Sequence, residues 1–233
     1  MTELANALTF YVVFLFSTTL HEAAHAWAAM RGGDLTAYHG GQVSLDPMPH
    51  IRREPFGMVI LPLLGAIATG FPFGFASAPY DPEWARRHPR RAGLMALAGP
   101  AANLILVIVS ALLLRGGAAA GVFEAPETVR FGFLADSSAG GAWSALGTLL
   151  SVFFSLNLLL AAFNMLPFPP LDGSGALPLL LSRRASERYQ TFMWSTPAIG
   201  LIGLVVAWQL FRYVFDPMFT AAVSLVYPGV RYQ

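Results

Sequence analysis

Six uncharged stretches dominate the chain: Leu4–Leu20, Pro55–Tyr80, Ala92–Leu114, Ser137–Leu171, Tyr189–Phe211 and Pro217–Val230. Several reach the roughly 20 residues that carry a helix across about 30 Å of hydrocarbon. Length alone, 233 residues, would allow one or two water-soluble domains. The charges do not: 12% of residues are charged and 55% hydrophobic, whereas a soluble domain carries about a quarter charged residues. The chain therefore reads as an integral membrane protein in contact with the lipid bilayer, a single membrane-embedded unit over 1–233.

The same composition excludes several kinds of chemistry. Fourteen basic residues, all arginine, against thirteen acidic ones leave a net charge of +1, which provides no extended basic face for nucleic acid. With no cysteine, disulfides, thiolate nucleophiles and thiolate metal sites are all excluded, so any metal must be held by His, Asp or Glu. The first apolar stretch follows Glu3 rather than a basic flank and runs into His21-Glu22, so it reads as a retained helix and not a removable signal peptide.

The pattern predicts an all-α polytopic helical bundle with a re-entrant, partly extended segment. Membrane segments are expected near 4–30, 92–114, 142–166 and 195–213, with a possible interfacial stretch over 217–228. Gly32-Gly33 ends the first helix. Gly40–Pro47 reads as a short extended element entered by a glycine turn. Over 56–76, prolines 62 and 72 and glycines 65, 70 and 74 oppose one straight helix. A short helix, about Phe56–Thr69, followed by an irregular return fits better. Asp81–Arg91 and Arg183–Arg188 read as charged turns, Arg115–Asp136 as a Gly/Ala-rich loop, and Leu177–Leu181 as the start of a short helix.

Within the first helix, His21-Glu22-Ala23-Ala24-His25 matches H-E-x-x-H. Residues at i and i+4 share a helix face, so two imidazoles can grip one metal ion with the glutamate beside it as a base for water. Two His and a Glu in an apolar helix are costly in lipid unless paired, hydrated or metal-bound. A catalytic tetrahedral zinc needs a third protein ligand. The remaining histidines, His39, His50 and His88, lie in polar loops. Asp172 is the more attractive choice, as the only acidic residue between Asp136 and Glu187, set in a proline-rich turn at the end of a membrane segment.

Three motifs in order, His21–His25, Leu97-Ala98-Gly99-Pro100-Ala101-Ala102-Asn103, and Asn164 followed by Pro167, Pro169 and Leu171-Asp172-Gly173, resemble the site-2 protease family of intramembrane zinc metalloproteases (peptidase family M50). The resemblance is closest to its compact bacterial branch without a PDZ domain, and Gly41–Pro47 and His50 resemble that branch too. It implies one catalytic zinc held by His21, His25 and Asp172, Glu22 as general base, and substrates that are membrane proteins with a transmembrane helix. Asn103 and Asn164 match polar positions near the family's active site, with contact to substrate or oxyanion as the implied role. A sheet-like element beside the catalytic helix is also implied, for which Gly41–Leu45 and Phe71–Tyr80 are candidate edges; a hairpin used only for packing is the alternative. Where relatives often carry a lysine followed by Pro-x-Pro-x-Asn-Pro, this chain has Phe75-Ala76-Ser77-Ala78-Pro79-Tyr80-Asp81-Pro82, a departure that bears on substrate recognition and not on the catalytic set.

Topology supplies a separate check. A full crossing by Phe56–Phe75 would put His25 and Asp172 on opposite sides, whereas re-entry keeps 31–54, 81–91 and 172–188 on the side of the metal residues. Ten arginines (31, 52, 53, 86, 87, 90, 91, 183, 184 and 188) then share that side, against Arg115 and Arg130, or against four when Arg212 and Arg231 are counted as well. The positive-inside bias makes it cytoplasmic, giving a multi-pass protein of the bacterial cytoplasmic membrane with an outside N-terminus. Two rival readings stand beside peptide-bond hydrolysis: a noncatalytic membrane metalloprotein, and a metal or proton transporter. Oligomeric state is not legible in the sequence.

Overall fold

The computed structural model describes residues 3–196 and 198–228; Arg231, counted above, lies outside them. Among the described residues there is no strand, and four helices are long and apolar enough to cross a membrane. The first, α1 (Glu3–Gly32), stops at Gly32, and Gly33 follows at a φ of 98°. The short helices α2 (Thr36–His39) and α3 (Pro47–Arg53) come next. One turn of wide helix, Phe56–Ile60, leads into α4 (Leu61–Thr69), and α5 (Pro82–Arg87) runs up to the long α6 (Pro89–Ala119). The remainder is α7 (Gly141–Asn164), α8 (Asp172–Ala176), a turn of tighter helix at Leu177–Leu179, α9 (Arg183–Ser195) and α10 (Ala198–Val226).

The core is a layer of α1, α6 and α7, with α10 packed on α6 and α7. Val13 and Phe14 of α1 meet Val152 and Leu156 of α7. Val107 and Leu114 of α6 meet Phe154 and Leu158 of α7 and Val223 and Val226 of α10. The opposite faces stay apolar and exposed, as at Ile105, Ile108 and Leu112 on α6 and Leu201, Val205 and Trp208 on α10. Such a surface suits lipid and not water.

The expected re-entrant segment is a hairpin of helix and extended chain. Gly70, at a φ of 74°, ends α4 and turns the chain. The Phe75 amide then donates to the Gly57 carbonyl at 3.1 Å, the Ser77 hydroxyl to Glu54 at 2.6 Å, and Arg53 Nε to the Ser77 carbonyl at 3.2 Å. Entry and exit thus lie side by side. The backbones touch so closely that a Cβ on Gly57 would overlap the Phe75 carbonyl oxygen, and one on Gly74 the Gly57 carbonyl oxygen.

Several local expectations are corrected. No sheet forms among the described residues: Gly40–Pro47 is a turn and bends between α2 and α3, and Phe71–Tyr80 is extended but packs on its own helix instead of a second strand. The charged turn expected over Asp81–Arg91 is helical, and α3 forms over 47–53, where no helix was expected, because Asp46-Pro47 and Asp81-Pro82 are N-cap plus first-turn proline. Each aspartate accepts from the amide two residues on, at 2.9 Å from Met48 and 2.8 Å from Glu83. Arg183–Arg188 is likewise helical, started by Ser182, whose hydroxyl accepts from the Ala185 amide. Helix α6 extends past Arg115 into the expected loop. The crossing expected over 195–213 and the separate interfacial stretch over 217–228 are one helix, which continues through Pro217 because Val223 and Val226 are buried on α6 and α7.

A polar layer ties neighbouring helix ends together. The Gly32 carbonyl, exposed at the end of α1, accepts from Trp84 Nε1 and Arg91 Nη1, both at 3.1 Å. Buried Asp34 accepts from the Thr36 amide and hydroxyl at 2.9 and 2.6 Å and from the Asp81 amide at 2.8 Å. Burial pushes the Asp34 carboxyl up, but these three donors outweigh it and hold it below the usual value.

Candidate active site

Helical spacing puts His21 and His25 one turn apart on the buried face of α1, each about 6% exposed. Their Nε2 atoms lie 3.0 Å apart. Asp172 reaches them from the start of α8, with Oδ2 at 3.1 Å from His21 Nε2 and Oδ1 at 3.3 Å from His25 Nε2. Among the described residues, these three bring candidate ligand atoms within 4.8 Å of one another. His39, His50 and His88 are not in the group. His50 Nε2 faces the Ser44 carbonyl and His88 Nδ1 the Trp84 carbonyl.

Asp172 is positioned by a tightly folded turn. The Leu171 amide donates to the Phe168 carbonyl, and the Ser174 amide and hydroxyl both donate to the Leu171 carbonyl. Gly173 sits where a Cβ would overlap the carbonyl oxygens of Met165 and Leu166, and Gly203 of α10 where one would overlap that of Pro169. Tyr189 of α9 donates to the Ser174 carbonyl at 2.9 Å. Three helices, α7, α9 and α10, thereby fix the carboxylate against α1.

The outer nitrogens of the imidazoles are also engaged. His25 Nδ1 lies 2.7 Å from the Met95 carbonyl, and His21 Nδ1 2.5 Å from Asn103 Oδ1. Asn103, fully buried, donates through Nδ2 to Asn157 Oδ1 at 2.8 Å. Asn157 donates in turn to Ser17 Oγ and the Phe153 carbonyl, both at 2.9 Å. Ser17, Asn157 and the Met95 carbonyl were not singled out from the sequence, although an Asn amid the apolar residues 152–163 and a Ser four residues before His21 were the available signals.

The donor set suits zinc. Ligand atoms about 2.0–2.2 Å from a tetrahedral ion stand about 3.3–3.6 Å from one another; here the two Nε2 atoms are 3.0 Å apart, with Asp172 Oδ2 3.1 Å from that of His21 and Oδ1 3.3 Å from that of His25. Two imidazoles and a carboxylate leave a fourth position free, the catalytic pattern. Gly99 of α6 clears the space, since a Cβ there would overlap both Nε2 atoms. Glu22 is 95% buried beside the cluster, and its carboxylate accepts no hydrogen bond from the described residues. Asn164 is half-buried at the end of α7, with Nδ2 donating to the Leu160 carbonyl at 3.0 Å.

Comparison with known proteins agrees with this chemistry. Residues 9–204 match the model of peptidase family M50. The chain is 30% identical over 226 residues to a Bacillus subtilis protein named "Putative zinc metalloprotease YwhC", covering 89% of this chain and 92% of that one. It is 33% identical over 164 residues to "Putative zinc metalloprotease Rip2" of Mycolicibacterium smegmatis, covering 70% of this chain and 54% of the relative. "Putative zinc metalloprotease MJ0611" of Methanocaldococcus jannaschii is 29% identical over 119 residues, 51% of this chain and 44% of that one. No solved structure matches.

Proposed function

The chain belongs to peptidase family M50 and is a multi-pass membrane metallopeptidase that uses zinc, and on that premise we propose that it is an intramembrane endopeptidase of site-2 protease type. Its substrates are membrane proteins, cut in or near a transmembrane helix. The observation that carries this reading is the convergence of Asp172 on His21 and His25, with the buried Glu22 on the same apolar helix.

His21, His25 and Asp172 would hold the ion, which would supply the acidity that activates a water and the polarisation of the scissile carbonyl. The chain's own groups do the rest. Glu22 takes the proton of the attacking water and returns it to the departing nitrogen as the peptide bond breaks. Asn164 is the candidate contact for the substrate backbone or oxyanion. A helical substrate shields its carbonyls in its own hydrogen bonds, so it must unwind before attack. The extended Phe71–Tyr80 offers backbone against which an unwound segment can lie.

The ten arginines on the metal side support a site facing the cytoplasm of a bacterial inner membrane. A transporter would stagger its ionisable groups across the bilayer, whereas here they meet in one cluster. A metal-binding protein without turnover has no use for Glu22. The test is to reconstitute the zinc-loaded protein with single-pass substrates and compare wild type with Glu22→Gln. The expected result is a 10²–10⁴-fold loss of cleavage with zinc retained; unchanged cleavage would overturn the mechanism, and zinc bound without cleavage of any substrate by wild type would favour the noncatalytic reading.

A further inference from the structure

The two zinc-binding imidazoles are oriented by different means. Each must present a bare Nε2 lone pair to the ion, which requires its proton on Nδ1. For His25 the requirement is met in one step, because the partner of Nδ1 is the Met95 backbone carbonyl, which can only accept. For His21 the partner is the side-chain amide of Asn103. An amide presents an acceptor on one side and donors on the other, so a flipped Asn103 would offer N–H to Nδ1 and drive the His21 proton onto Nε2, facing the ion.

What prevents the flip lies further back. Asn157 Nδ2 faces the Phe153 carbonyl at 2.9 Å, and that oxygen can only accept. This fixes Asn157, whose Oδ1 must then accept from Asn103 Nδ2, which leaves Asn103 Oδ1 to accept from His21 Nδ1. Asn157 and Asn103 are both fully buried, so no solvent can substitute for a lost partner. We propose that Asn157 is a positioning residue of the zinc site: acting through Asn103, it relays the polarity of one backbone carbonyl on α7 to the tautomer of His21 on α1. Asn103 belongs to the same relay, with its carbonyl and amino ends both engaged away from substrate. The proposal rests on the reading of His21, His25 and Asp172 as the zinc site, and its test is metal affinity, independent of proteolysis.

Asn157→Leu keeps the branched shape of the side chain, in a larger volume, and removes the relay. In detergent-solubilised full-length protein, competition with a chromophoric chelator should show zinc held 10–100-fold more weakly than by wild type, the range seen when outer-shell partners are lost. Adding Asn103→Asp should restore affinity to within a few-fold of wild type, because a carboxylate presents an acceptor to Nδ1 whichever way it turns. Ser17→Ala should stay near wild type, since the Phe153 carbonyl alone fixes Asn157. A packing role for Asn157 predicts no weakening in the leucine variant and no rescue by the aspartate, and either result overturns the proposal. Nitrogen-15 NMR of histidine-labelled, zinc-free wild type reads the His21 ring without any variant. A proton on His21 Nδ1 supports the relay, and a bare Nδ1 overturns it. Wild type that takes up no zinc overturns the zinc reading and the relay together; loss confined to Asn157→Leu leaves that reading intact.

Discussion

Glycine at position 99 illustrates how a residue without a side chain can belong to a metal site. Its α-carbon faces the two Nε2 atoms so closely that any Cβ would overlap them. Gly99→Val should therefore abolish stoichiometric zinc uptake, measured by metal analysis of purified protein. Circular dichroism should show the helices unchanged, because Gly99 lies within a continuous α6. Asp34 gives a pH test at the same scale. Its folded-state carboxyl is held below the unfolded value of about 3.9, so its contribution is present above that value and is lost as pH falls through the lower folded one. Thermal unfolding in detergent should place wild type above Asp34→Asn at pH 6, with the gap closing below about pH 4. His21, Glu22, His25 and Asp172 were legible because ionisable residues stand out in an apolar chain. Asn157 was not, because a neutral amide within a membrane helix gives no clue to its partner, and the carbonyl that orients it belongs to Phe153, a residue whose side chain suggests only packing.

At the scale of elements, the hairpin of α4 and the extended return depends on backbone-to-backbone contact. Gly57 and Gly74 each lie where a side chain would collide with the other strand of the hairpin. Gly74→Leu should lower stability by about 1–3 kcal/mol, the usual cost of overpacking. The shift should appear in thermal unfolding, and limited proteolysis should cut between 70 and 80 first. The helix-and-return shape was readable from the prolines and glycines over 56–76. Helices α3, α5 and α9 were not legible because Asp46-Pro47, Asp81-Pro82 and Ser182 carry both turn and helix-start signals. The short helices they begin are fixed by tertiary contacts, such as Trp84 buried on the end of α1. Conversely, the separate segments expected over 195–213 and 217–228 join through Pro217 into α10, where Val223 and Val226 are buried.

For the whole molecule, the distribution of arginine and the requirement that His25 meet Asp172 both depend on the hairpin returning to its side of entry. The absence of native cysteine makes topology directly testable. Single cysteines at Ser182 and Glu127 should respectively resist and accept a membrane-impermeant maleimide added to intact cells, and the reverse pattern would invert the proposed orientation. The central claim is that Glu22, beside the His21–His25–Asp172 zinc site, drives hydrolysis of a peptide bond within a membrane segment. Mass spectrometry of products formed in ¹⁸O-labelled water, from a reconstituted single-pass substrate, tests it most directly. One solvent oxygen is expected in a new carboxyl group inside or at the edge of the apolar segment, with the yield from Glu22→Gln down by 10²–10⁴-fold. Labelled cuts confined to the soluble flanks, or an undiminished yield from Glu22→Gln, would contradict it.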